Sequence, residues 1–429
     1  MRRRIVITGM GVITPLGHTV EELFRTQVAG ESGVGPITRF DASTFPTNFA
    51  AEVRGFDLAR YVGRPEVWKH ACEASKFAGA ASRIALEDAG LLAPGPERER
   101  FGVYMGTGEA TQEVQMLMRL IARCYSSETR TLDPLEMGRL GSPAYTPGKQ
   151  HEQELHLLTA HIADQFDLQG PNFSCLTACA AGTQAVGEAL ELIRAGDADL
   201  MLAGGAHSMV YPLGVTGFSL LTALSRRNDA PTKASRPFDR SRDGFVIGEG
   251  AGVLILEELE HAKARGAAIH AELTGYGSTA DAFRVTDSHP EGRGAISCMR
   301  LALTDARLDP ASIGYINAHG TSTRVNDLSE TIAIKKVFGD QAYRVPISSS
   351  KSMLGHLIGA AGAVELIISI MAMREGVLPP TINYENADPD CDLDYIPNVP
   401  REVRTRHVLS NSFGFGGQNA SLIVSQFGG

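Results

Sequence analysis

Four short stretches of this sequence hold residues able to do chemistry together. Cys179 lies in "NFSCLTACAAGTQAVGEAL", where a strand-like run meets a small-residue turn and then a helical pattern. A cysteine at such a junction points its sulfur at a helix N-terminus, whose free N–H groups and positive dipole end favour a thiolate. The pattern is that of a nucleophile elbow with sulfur in place of oxygen. Cys175, four residues earlier, falls within the strand and is expected to pack.

The other three stretches offer what a nucleophile needs. In "INAHGTSTRVNDLSE" a short strand ends at His319, with the hydroxyls of Thr321 and Thr323 beside it. In "SSSKSMLGHLIGAAGAVE" Lys351 and His356 stand in small, apolar company, where a charge needs a partner; Glu330 and Asp327 are the expected ones. In "SNSFGFGGQNASLIV" the loop Phe413–Gly417 can bring its backbone N–H groups close to a substrate. Taken singly, a buried thiol, a satisfied core histidine, a surface lysine and an ordinary turn account for each stretch. Taken together they make a nucleophile with donors for developing negative charge.

Self-similarity along the chain shows how these stretches are positioned. "TGMG" (8–11) recurs as "TGYG" (274–277), "RIALEDAGL" (83–91) as "RLALTDARL" (300–308), and "FGVYMGTG" (101–108) as "IGYINAHG" (313–320). "CAAG" (179–182) parallels "GAAG" (359–362), and "GEGAGVLI" (248–255) parallels "GQNASLIV" (417–424). Five pairs in one order indicate two halves on one plan, 1–268 and 269–429, with extra pieces at 12–82 and 109–178 in the first. β-branched runs alternate with longer small-residue and leucine patterns, predicting buried α/β sheets with helices outside. The helix starting near Ala180 is expected to be buried on all sides. The segment 109–170 reads as irregular, with "GSPAYTPGKQHEQE" as a surface loop.

The bulk numbers exclude several classes. The chain has 429 residues, longer than a single core supports. Its net charge of −9 disfavours nucleic acid and anionic membranes as partners. The six cysteines show no zinc spacing, so no metal centre and a reducing, cytoplasmic compartment are expected. No run is long and apolar enough to span a bilayer.

"TACAAG", "NAHGTST", "KSMLGH" and "NSFGFGGQN" together resemble the signatures of β-ketoacyl-[acyl-carrier-protein] synthases, more narrowly the elongating class with a Cys-His-His triad. "PFDRSRDGFVIGEGAG" and "SHPEGRGA" extend the resemblance over nearly the whole chain. It implies a thiolase-like α/β fold, duplicated in five layers (αβαβα). It implies an acyltransferase carrying out decarboxylative Claisen condensation, with Cys179 as acyl carrier, His319 and His356 as enolate donors, and Lys351 and Glu330 setting the local field. The backbone N–H groups of Cys179 and Phe415 would form the oxyanion hole, with Phe415 also gating the acyl channel. Thr321, Thr323, Phe413 and Glu109 would contact substrate. Glu365 and Asn411 would be structural, beside a monovalent-cation site. No resident cofactor is implied, since the phosphopantetheine arm arrives on the carrier protein. The partners implied are that acidic acyl carrier protein and a second subunit, as a homodimer or as a heterodimer with a chain-length factor. Arg226, Arg227 and Lys233, and more weakly Arg64 and Lys69, are the expected carrier-docking cations.

Three stretches depart from that family's pattern: "GTGEATQEVQ", "YTPGKQHEQELHLL" and "EVWKHACEASKF". All lie in the extra pieces of the first half. They favour a specialised polyketide or polyene synthase, with housekeeping fatty-acid elongation as the alternative. A non-catalytic chain-length-factor subunit would lack Cys179. A biosynthetic thiolase would need a second catalytic cysteine, and an initiating synthase would have Asn where His356 stands.

Overall fold

The computed structural model describes residues 2–93, 98–108 and 114–428. Its main strands are β1 (Ile5–Ile13), β2 (Phe101–Gly106), β3 (Asn172–Cys175), β4 (Leu200–His207), β5 (Gly250–Glu258), β6 (Ala271–Ala280), β7 (Tyr315–Asn317), β8 (Ile347–Ser348), β9 (His407–Gly414) and β10 (Gln418–Ser425). They pair in the order β8-β7-β9-β10-β6-β1-β5-β4-β2-β3. That order is one five-stranded pattern used twice, β3-β2-β4-β5-β1 and β8-β7-β9-β10-β6. The copies meet where β1 and β6 run antiparallel, Val6 opposite Glu272. In each copy the outer three strands are parallel and the inner pairings antiparallel.

Six helices complete the layers: α1 (Glu73–Asp88), α2 (Leu157–Phe166), α3 (Ala181–Ala195), α4 (Arg293–Ala306), α5 (Arg324–Phe338) and α6 (Ala361–Glu375). α3 and α6 touch each other and both half-sheets, forming the central layer. α1 and α2 cover the first half-sheet from outside, and α4 with α5 covers the second. The five layers follow, with one apolar core between the half-sheets and one beneath each outer layer.

The repeats are visible in the backbone. β1 slips register between Ile7 and Gly9 against β5, and β6 slips between Leu273 and Gly275 against β10. These glycines let the outer helices close in. A Cβ on Gly9 would lie 2.2 Å from the Ala85 carbonyl oxygen, and one on Gly275 would lie 2.4 Å from that of Ala302.

Two expectations need correction. α6, not α3, is the helix buried all round: every residue from Ala361 to Met373 is buried, whereas Glu188 and Glu191 of α3 are exposed. The reason is composition, since α3 carries charge on one face and α6 carries only Glu365 before its last turn. The segment after 109 is also more regular than expected. It folds as helix Val114–Cys124, a small hairpin pairing Tyr125 with Leu132, and helices Pro134–Ala144 and Pro147–His151. Asp133 caps Pro134–Ala144 by accepting from the Leu135 and Glu136 N–H groups, with proline at the first helical position.

Candidate active site

The four stretches converge at the C-terminal ends of the parallel strands. Cys179 follows β3 through a sharp elbow in which Ala178 adopts φ 50°, left-handed for a residue with a side chain. A short 3₁₀ turn, Ala178–Ala180, then feeds α3. The second half repeats the device, with Ile358 at φ 48° and Ile358–Ala360 feeding α6. The two elbows pack back to back. A Cβ on Gly182 would lie 2.8 Å from the Gly359 carbonyl oxygen, and one on Gly205 would lie 2.3 Å from the same atom.

Around the Cys179 sulfur stand two imidazoles and two backbone N–H groups. His356 Nε2 lies 2.9 Å from Sγ. The Ile358 backbone N–H donates to His356 Nδ1 (3.2 Å), so the neutral ring carries its proton on Nε2, facing the sulfur. The His319 ring stands edge-on to that of His356, centroids 5.3 Å apart. Nitrogens of both rings and Sγ all fall within 4.8 Å of one another. The N–H groups of Phe415 and of Cys179 itself point at Sγ. Gly414 makes that approach possible: a Cβ there would lie 3.0 Å from the Cys179 nitrogen.

Burial governs protonation here. Desolvation, reinforced by the Lys351 charge, holds both histidines well below their ordinary pKa, so both are neutral at neutral pH. The thiol departs from expectation. Burial pushes Cys179 up to about 11, outweighing Lys351 and the two N–H groups that favour its thiolate. Cys175 Sγ donates to the Ala181 carbonyl (3.4 Å), and burial pushes its thiol to about 11 as well.

Lys351 is buried, but neither expected carboxylate is its partner. Its Nζ lies 2.6 Å from Glu365 Oε1, the only carboxylate of α6 before its last turn. Glu330 instead accepts the backbone N–H groups of His319 (2.9 Å) and Gly320 (2.8 Å), fixing the loop that carries His319. Burial pushes both Glu330 and Glu365 up to about 7. Asp327 pairs with Arg242 (3.5 Å) and accepts the Phe238 N–H (2.8 Å).

A narrow cleft of about 60 Å³ leads to Sγ, lined among others by Thr321, Thr323, Phe413, Phe415, Phe218 and Phe245. The hydroxyls of Thr321 and Thr323 lie 2.9 Å apart. Phe218 and Phe245 drew no notice in the sequence, since aromatic residues inside loop and helix runs read as core. Glu109 lies outside the described residues.

The basic residues fall in two separate places. Arg226, Arg227 and Lys233 follow the helix Pro212–Leu220 that brings Phe218 to the cleft. Arg226 is exposed, Arg227 donates to the Ser241 carbonyl (3.0 Å) and Lys233 pairs with Glu385 (3.2 Å). Arg64 and the exposed Lys69 flank a turn on the outer layer, where Arg64 pairs with Asp164 of α2 (2.7 Å).

Among the described residues, Cys179, His319 and His356 are the only group of three His, Cys, Asp or Glu ligand atoms close enough to share a metal ion. Asn317 Oδ1, Ser410 Oγ and Glu365 Oε2 are among the buried oxygens with no hydrogen-bond partner among the described residues. Asn317 and Ser410 are direct neighbours across β7 and β9, and α6 packs on both strands. An all-oxygen set with one carboxylate suits a hard monovalent cation.

Residues 2–262 match the family model for the β-ketoacyl synthase N-terminal domain, and residues 270–385 match that for its C-terminal domain. The chain belongs to the β-ketoacyl synthase family. It is 46% identical over 425 residues to 3-oxoacyl-[acyl-carrier-protein] synthase 2 of Coxiella burnetii, covering 99% of both chains. Among solved structures it resembles the ishigamide ketosynthase/chain length factor, with TM-score 0.88, 38% identity and 100% of both chains covered. It also resembles a type II polyketide ketosynthase, bound to the hexaketide, solved in complex with its acyl-carrier protein (TM-score 0.87, 34% identity, 100% of both chains). The synthase is thus a condensing acyltransferase of thiolase-like fold. None of its described helices is long and apolar enough to cross a membrane.

Proposed function

We propose that the synthase moves an acyl group from a carrier-protein thioester onto Cys179 and condenses it with malonyl-carrier protein. The observation that carries this reading is the convergence of two backbone N–H groups and two neutral imidazoles on one buried sulfur. In the first half-reaction the Cys179 thiol attacks the acyl carbonyl, and its proton leaves with the pantetheine sulfur. That exchange is proton-neutral, so a resting thiol near 11 does not obstruct it. The Cys179 and Phe415 N–H groups hold the tetrahedral oxyanion. In the second half-reaction malonyl thioester loses carbon dioxide, and His319 and His356 donate to the enolate oxygen. The enolate carbon then attacks the acyl carbonyl, and Cys179 leaves as a thiolate that takes up one proton from solvent as the β-ketoacyl product forms, restoring the resting thiol.

Supporting roles follow from position. Lys351, held in place by Glu365, adds its positive charge to the burial that keeps both histidines uncharged. Glu330 holds the His319 loop. Thr321 and Thr323 bind the pantetheine arm or the malonyl carboxylate, and Phe413 and Phe415 wall the cleft. A cleft of about 60 Å³ cannot hold a long acyl chain, so Phe415 has to swing aside for one. Asn317, Ser410 and Glu365 would hold a monovalent cation, which would lend fixed charge beneath the site. The phosphopantetheine arm comes with the carrier; the synthase needs no cofactor of its own for this chemistry. Its second subunit is a copy of itself or a chain-length factor, and a cytoplasmic location suits six cysteines outside any disulfide.

For the pathway we favour polyketide or polyene elongation, on the unusual stretch after residue 109. Fatty-acid elongation is the alternative, and a panel of acyl-carrier substrates separates the two. Intact-protein mass spectrometry tests the mechanism. Wild type should gain one acyl mass from acyl-carrier protein, and Cys179→Ala none. His319→Ala and His356→Ala should still acylate but lose carbon dioxide release from malonyl-carrier protein by about 10²–10³-fold. An acyl adduct that persists in Cys179→Ala overturns the assignment.

A further inference from the structure

The cleft mouth carries large apolar side chains turned to solvent, which no step above uses. Leu220 is 78% exposed, Leu221 47%, Val285 80% and Val325 51%. They come from three separate segments, each with a neighbour in the cleft wall: Phe218 beside the leucines, Thr286 beside Val285, and Val325 itself with Asn326. Leu220 and Leu221 end the helix Pro212–Leu220, where the β-branched Thr222 is held at φ 53°. Val285 hangs on a loop whose carbonyl accepts the Gly416 N–H (2.6 Å), so it sits against the Phe415 turn. Single exposed leucines are ordinary; four around one opening mark a contact surface.

We infer that this apolar rim is the main anchor for the acyl carrier protein. The inference rests on the condensing reading and names how its partner is recognised. The occupant has to be whatever delivers a thioester down this cleft, because the rim is continuous with the cleft wall. The charges beside it agree. Lys233 is paired with Glu385 and Arg227 lies against Asp243 (4.0 Å), whereas Arg226 and Arg324 are exposed with no ion-pair partner among the described residues. The partner surface that fits is a helix with an apolar face and a few flanking acids. Affinity then comes from buried leucine and valine, with the two arginines orienting the encounter.

Binding and acylation are measured separately. A fluorescently labelled holo acyl carrier protein of a type II synthase is titrated with the synthase by anisotropy, at 25 and 300 mM salt. Octanoyl-pantetheine, a thioester with no carrier protein attached, is used to acylate Cys179. Leu220→Asp should weaken carrier binding about tenfold and leave acylation by octanoyl-pantetheine within twofold of wild type. Val285→Asp, on a different segment, should weaken carrier binding likewise. Wild-type affinity should fall less than about threefold at the higher salt, because apolar contacts are not screened. Unchanged binding by both variants overturns the inference. So does loss of binding in Arg226→Ala with Lys233→Ala together with a steep salt dependence. Failure of octanoyl-pantetheine to acylate wild type counts against the condensing reading instead, and leaves the binding result to decide the rim.

Discussion

Lys351 reaches five groups at once: its charge lowers the pKa of both histidines and opposes the burial that raises Cys179, Glu330 and Glu365. Removing it should therefore change a pH profile and not only a rate. In Lys351→Ala the histidines keep their burial but lose a repelling cation, so their pKa values rise. The acid limb of kcat/KM should move to higher pH as activity falls; an unmoved limb would show that Lys351 only packs. Glu330 gives a second test. Its carboxyl titrates near 7 in the fold and near ~4.3 when free. The folded state therefore binds the extra proton between those values. The stability this contributes is complete below ~4.3 and is lost as pH rises through 7. Glu330→Gln cannot titrate, so wild type should lose Tm relative to it from pH 5 to pH 8 by calorimetry. A flat difference would refute the raised value. At this scale the sequence was legible for the groups around sulfur but not for Lys351's partner. Glu365 was discoverable: a lone acid in the apolar run "GAAGAVELIISIMAM" needs a cation. The raised thiol was not, because a helix N-terminus can be read from residues whereas full desolvation depends on what closes over it.

Among the elements, helix Val20–Val28 packs on α6 and buries Gln27 completely, with neither amide atom hydrogen-bonded among the described residues. Gln27→Leu keeps the volume and removes the unmet polar atoms. It should stabilise by about 1 kcal/mol, read as a shift in denaturant midpoint. Gly9 and Gly275 make a matched pair. Alanine at either would push a methyl into a helix carbonyl, and each should cost about 1–3 kcal/mol. Similar costs at both would confirm that the two bulges do the same job. These bulges explain why "TGMG" and "TGYG" were recognisable as repeats: close helix approach restricts the residue types allowed. The segment 109–170 reads as irregular, with "GSPAYTPGKQHEQE" as a surface loop, because its proline and glycine signals also fit short capped helices. Choosing between those readings requires the tertiary contacts.

For the whole molecule, the exposed edge is β3, which pairs only with β2 among the described residues and shows Phe173 48% exposed, with Leu176 just beyond it at 46%. Such an edge invites a second chain. Phe173→Asp with Leu176→Asp should shift the synthase from dimer to monomer in native mass spectrometry. A dimer that persists would place the subunit contact elsewhere. The duplicated architecture could be read from the five ordered repeats and the five layers only from the family resemblance, while the identity of the second subunit leaves no periodic trace in one chain. The back-to-back elbows bear on how the enzyme fails with heat. Sulfur and imidazole are spaced by glycine backbones already in contact, so neither half can loosen by a fraction of an ångström while the other holds. Clearance of that kind does not drift gradually. Activity and fold should disappear over the same few degrees, with no temperature at which the synthase is intact yet idle.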